Sequence, residues 1–108
     1  MSLKYVVAIM RPDVLSALEV KLGSLHVGGM AVTKVNGFGG YTDFFSKNHL
    51  TEHIKIEIFV EEPKVEALTT AIMDSAHSDV PGAGIVAVMP VEKFLHIRTR
   101  SETLPDEP

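Results

Sequence analysis

Apolar and polar positions along this chain follow a strand, helix, strand order, and that order occurs twice. The run LKYVVAIM is β-branched and almost continuously apolar until Arg11 and Pro12 interrupt it, which predicts a buried strand. A helix follows. Pro12 suits a first helical turn, Asp13 suits the positive end of the helix dipole, and Val14, Leu15, Leu18, Leu22 and Leu25 recur at helical spacing. Gly23 or Gly28 supplies its stop. MAVTKV then sets apolar Met30, Val32 and Val35 against polar Thr33 and Lys34, the mark of a half-buried strand.

The second half repeats the order. HIKIEIFV puts Ile54, Ile56, Ile58 and Val60 on one face, with Lys55, Glu57 and Phe59 on the other. Pro63 opens PKVEALTTAIMDSAH, where Val65, Leu68, Ile72 and Ala76 form a helical stripe. GIVAVMPV supplies another apolar strand, and Phe94 to Thr99 a short final one. A double βαβ of this length predicts an α+β, ferredoxin-like sandwich over residues 1–100: a four-stranded antiparallel sheet with two helices on one face. YVVAIM and IVAVM are apolar on both faces while helices cover one, so self-association is expected to cover the other. Residues 101–108, SETLPDEP, are expected to be a flexible, solvated acidic tail.

Composition narrows the function classes. A chain of 108 residues is one domain. Its formal charge of -4 argues against a general electrostatic grip on nucleic acid or anionic membrane, leaving small molecules and proteins as partners. With no cysteine, disulfides, thiolate catalysis and cysteine-ligated zinc are excluded. Neither a signal peptide nor an apolar run of about 18 residues is present, which predicts a cytoplasmic protein with no membrane insertion.

Two glycine clusters fall at equivalent points of the repeat: NGFGG, Asn36 to Gly40, after the second strand, and PGAG, Pro81 to Gly84, before the fourth. Without Cβ atoms, such segments let backbone amides approach a ligand and curl into an anion-binding nest; they also serve as plain turns. Neither is a Walker loop, since no Gly-Lys-Ser/Thr follows.

VTKVNGFGG, KIEIFV and PGAGIVAVMPVEKFLHIRT, in this order on the double βαβ, resemble the PII signal-transduction proteins over roughly residues 3 to 100. The resemblance implies a homotrimer that binds an adenine nucleotide in clefts between subunits. It makes residues 36–53 a signalling loop, SDVPGAG the loop around the phosphates, and HIRTR the start of a segment closing the cleft. By this resemblance the nucleotide-binding residues are Ile9, lining the adenine site, then Gly37, Phe38, Gly39 and Gly40 at the loop base. They continue with Glu57 on the third strand, Ser78, Gly82, Ala83 and Gly84 in the phosphate loop, and His96 and Arg98 in the ending. Arg98 also has a physical case, because a guanidinium pairs bidentately with phosphate.

Departures from the family pattern refine the expectation. After GFG the family has arginine and glutamine where this chain has Gly40 and Tyr41, which puts the usual 2-oxoglutarate response in doubt. Ile85 and His96 replace two further basic residues. Charge-assisted phosphate contacts are worth roughly 1.5 to 3 kcal/mol each, so ADP or AMP, with a cyclic nucleotide as a further candidate, is expected over ATP. The loop is shorter than the family's and lacks the context of its modified tyrosine, Tyr41 lying too near the base. Tyr41, Phe44 and Phe45 are candidate contacts to a protein partner, the two phenylalanines equally able to fold back onto the sheet. The resemblance points to control of a membrane transporter for inorganic carbon, with bicarbonate as a second ligand, or for nitrogen.

His49 and His53 share a face only if helical, and His26, His77 and His96 provide no defined third ligand, so chance polar histidines are favoured over a metal site. The alternative function is a metal-handling protein of the similarly built divalent-cation-tolerance type, or one associated with heavy-metal efflux. Ser16, Ser75 and Ser78 lack a nucleophile-elbow context and no paired carboxylates suit catalysis, so no enzyme is expected.

Overall fold

The computed structural model describes residues 2–37, 51–79 and 82–105. Six strands and two helices occur in the order β1 (Leu3–Met10), α1 (Leu15–Ser24), β2 (Ala31–Gly37), β3 (Thr51–Glu61), α2 (Val65–Ala76), β4 (Gly84–Val91), β5 (Leu95–His96) and β6 (Ser101–Glu102). The first four strands form one antiparallel sheet in the order β2-β3-β1-β4, the ferredoxin-like arrangement expected from the double repeat. Each helix begins with a 3-10 turn, Pro12–Val14 and Glu62–Lys64, in which proline occupies one of the first two positions. Proline is accepted there because its missing N–H would have no intrahelical partner.

The alternation in β3 sorts as predicted: Ile54, Ile56, Ile58 and Val60 are buried, and they pair across from Met10, Ala8, Val6 and Lys4 of β1. Leu18 and Leu22 of α1 and Leu68 and Ile72 of α2 complete one core on that face. At roughly 1.5 to 3 kcal/mol for each large apolar side chain buried, this layer carries most of the favourable free energy of folding. Among the described residues no helix covers the opposite face. Phe59, Ile85 and Met89 are exposed there, and Tyr5, Val7 and Ile9 only partly covered.

Three boundaries differ from expectation. Asn36 and Gly37 belong to β2, and Thr51 to His53 to β3, so the segment expected as loop over 36–53 spans no more than 38–50. Gly23 lies inside α1, which runs to Ser24. Only Leu95 and His96 of the 94–99 segment are strand; they pair with Ser101 and Glu102, so the part of the expected tail through Pro105 is folded back. The His96 carbonyl accepts from Arg100 N at 2.9 Å, and Arg100 takes a positive φ of 55° to close this turn.

Candidate functional site

The strand directions bring several singled-out residues to one end of the sheet. β1 and β2 finish there, at Met10 and Gly37, while β3 and β4 begin there, at Thr51 and Gly84. A pocket of about 210 Å³ opens at this end, walled by Ile9 and Met10 of β1, the last two turns of α2, Ser78, and Ala83 to Val86. Ile9, Ser78, Ala83 and Gly84 are among the residues the family resemblance singles out, and Ile72 and Ala76 are the part of the α2 apolar stripe that reaches the pocket.

Gly82 and Gly84 have φ of 95° and 121°, a region that side chains with a Cβ avoid. At Gly84 a Cβ would also lie 2.0 Å from the Ile9 carbonyl oxygen. These two positions therefore require glycine for the turn itself. The walls are mainly apolar, and neither lysine nor arginine contributes to them among the described residues. At the rim, His77 Nε2 lies 3.3 Å from Asp79 Oδ1.

His53 is the functional-site neighbour that sequence reasoning missed. Read as a chance polar histidine, it is fully buried, and its Nε2 hydrogen-bonds the Gly82 carbonyl at 3.0 Å. Its polar neighbours Thr51 and Glu52 disguise the start of a strand, and alternation continued back from Ile54 puts His53 on the face of Lys55 and Glu57, so the repeat carries no signal of its burial.

Other expected residues lie elsewhere. Glu57 is midway along β3 on the uncovered face, where it accepts a 2.7 Å hydrogen bond from the Tyr5 hydroxyl and has Lys55 Nζ 3.7 Å away. That hydrogen bond, then burial, then the carboxylate's charge, hold the Tyr5 hydroxyl above its ordinary pKa of 10.0. His96 and Arg98 follow β4 and so fall beyond the far end of the sheet. His96 Nε2 donates to the Leu104 carbonyl at 3.1 Å, its ring standing edge-on to Phe94, and Arg98 is exposed in the 97–100 turn. Phe38, Gly39, Gly40, Tyr41, Phe44, Phe45 and His49 lie outside the described residues. Among the described residues, no three histidine, aspartate or glutamate side chains gather as a metal site would need, and no helix is long and apolar enough to cross a membrane.

The arrangement is that of a ferredoxin-like binding domain whose glycine turn and apolar pocket share one sheet end. Residues 3–101 match the family model described as nitrogen regulatory protein P-II, and the chain belongs to that family. It is 35% identical over 116 aligned positions to nitrogen regulatory protein GlnK1 of Methanosarcina mazei, covering 97% of each chain. It is 35% identical over 104 positions to nitrogen regulatory protein P-II of Porphyra purpurea, covering 90% of this chain and 93% of that one. Among solved structures it is similar to B. subtilis GlnK, with a TM-score of 0.82 at 23% identity over 99% of this chain and 100% of the other. It is also similar to the B. subtilis GlnK-ATP complex, with a TM-score of 0.79 at 24% identity over 94% of each chain. At such identities these two matches establish the shared fold.

Proposed function

We propose that this protein is a trimeric P-II regulator that binds ADP or AMP in preference to ATP and acts by binding rather than by turnover. The observation that carries the reading is the pocket beside the Gly82–Gly84 turn: it offers apolar walls and backbone groups, and no lysine or arginine among the described residues lines it. Family membership, and the ATP complex of a structural neighbour, support an adenine nucleotide as the ligand class. Each additional phosphate brings negative charge to a pocket whose described lining offers no lysine or arginine to offset it, so the triphosphate gains least. Ile85 stands directly after the turn, where the family pattern places a lysine.

The separation of Arg98 from the glycine turn by the length of β4 supports assembly. A neighbouring subunit packed on the uncovered face brings its own Arg98 toward this subunit's pocket and removes Phe59, Ile85 and Met89 from water. In this reading the sensor works in the cytoplasm and signals to a protein partner, a membrane transporter of inorganic carbon or nitrogen, with bicarbonate as second ligand.

Calorimetric titration of ATP, ADP, AMP and cyclic AMP, each with and without bicarbonate or 2-oxoglutarate, tests the proposal. ADP or AMP binding more tightly than ATP and weakened by Arg98→Ala is the expected result; tightest binding of ATP, or none of any adenine nucleotide, overturns it. Sedimentation of the same samples tests the trimer.

A further inference from the structure

The glycine turn is fixed from two sides. On one, Gly84 packs so closely on β1 that no Cβ fits between it and the Ile9 carbonyl. On the other, the buried Gly82 carbonyl faces the ring of fully buried His53. A carbonyl only accepts, so His53 Nε2 carries the proton of the 3.0 Å bond. His53 is the third residue of β3, and its cross-strand partner is Val35 of β2. This hydrogen bond joins the turn to β3, and through the β2/β3 pairing to the strand that ends before residue 38.

We infer that His53 is a positioning residue that ties the Gly82–Gly84 turn to the start of β3, so that ligand occupancy at the turn and the course of the chain entering β3 change together. The ligand-dependent half of this inference rests on the nucleotide reading above; the positioning half does not. A buried carbonyl that loses its donor bears the whole cost of desolvation, so the turn cannot shift away from β3 without drawing His53 along or leaving that oxygen unpaired. The chain enters β3 at Thr51, two residues before the ring, and leaves β2 at Gly37, two residues after Val35. A displacement of the turn by a ligand is thereby delivered to both strand ends, with His53 as the connecting group.

Backbone amide hydrogen exchange on the full chain without ligand tests the positioning role. His53→Phe keeps a ring of similar volume and removes the donor; His53→Gln keeps an amide N–H at the reach of Nε2. Exchange at residues 82–85 is expected to rise roughly fivefold in the Phe variant, the scale of one lost hydrogen bond, and to return toward the parent rate in the Gln variant. The amides of Ile56 and Ile58 stay unchanged in both. With ADP present, the parent and Gln proteins gain protection at 51–53 as well as 82–85, whereas the Phe variant gains it at 82–85 alone. Unchanged apo exchange at 82–85 in the Phe variant, a rise of equal size throughout the core, or no restoration by Gln overturns the inference. If ADP alters exchange nowhere in the parent protein, the nucleotide reading falls, and the comparison without ligand still decides the role of His53.

Discussion

Replacing Gly84 by alanine adds one methyl group where the sheet has no room for it. The new Cβ would stand 2.0 Å from the Ile9 carbonyl oxygen, whereas ordinary contacts begin at 3.4 Å. That oxygen is main chain, on a strand paired along its length to β3 on one side and β4 on the other, so it cannot swing aside as a side chain would. The start of β4 must instead peel from β1. An L-residue at positive φ costs about 1–2 kcal/mol, and each displaced ladder hydrogen bond about 0.5–1.5 kcal/mol, so two lost bonds bring the total to about 3 kcal/mol. Gly23→Ala provides the internal control. Nothing lies within 4 Å of a Cβ there, the residue is inside α1, and alanine should stabilise by about 0.5–1 kcal/mol. Urea unfolding followed by circular dichroism, at one fixed protein concentration so that the proposed assembly weighs equally on every midpoint, measures both changes. The two substitutions should move the midpoint in opposite directions, and Gly84→Ala should also abolish ligand binding at the pocket it helps to wall. A Gly84→Ala protein as stable as the parent would refute the packing argument at the β1/β4 junction.

Three further outcomes are expected. In a Tyr41→Phe background, which leaves Tyr5 as the single tyrosine of the two in the chain, ultraviolet titration should find the Tyr5 hydroxyl above 10.0, and Glu57→Gln should lower it. Because the folded state holds that proton more tightly, the associated stability is present below the unfolded pKa and falls as pH rises through the folded one; a flat stability curve there would contradict the Tyr5–Glu57 bond. Truncating fully buried Ile56 or Leu68 to alanine should cost about 2–5 kcal/mol in urea unfolding, and a loss below that range would place the core elsewhere. His96→Ala removes the hold on the Leu104 carbonyl, so limited proteolysis should cut near residues 101–105 sooner while the main unfolding midpoint stays put.

Much of the sandwich was legible because its signals are local. The Ile54, Ile56, Ile58, Val60 alternation and the Leu68, Ile72 stripe name their own buried faces, and Pro12 and Pro63 mark both helix starts to within a turn. The parts that escaped depend on residues distant in sequence. Ser101 and Glu102 look like solvated tail until Leu95 and His96 are placed opposite them. His53 reads as an exposed polar residue until the Gly82 carbonyl, 29 residues later, arrives beside it. At the candidate site, the glycine turn and Ile9 were visible as resemblance, but the far placement of His96 and Arg98 follows from the direction of β4, which residue spacing does not encode. Thr51 to His53 escaped for a related reason: β1 stops opposite Ile54, so the apolar alternation that its pairing imposes on β3 does not extend back to them.

β1 occupies an interior position of the sheet, hydrogen-bonded to β3 and β4 but not to β2, the next strand in the chain. During synthesis β1 thus leaves the ribosome before either of the strands it pairs with. LKYVVAIM finds its first edge when residues 54–61 emerge and its second only when Val91 has been made. This β-branched apolar run is half-satisfied for the time taken to translate α2 and β4, an interval in which a chaperone has an unpaired strand edge to protect.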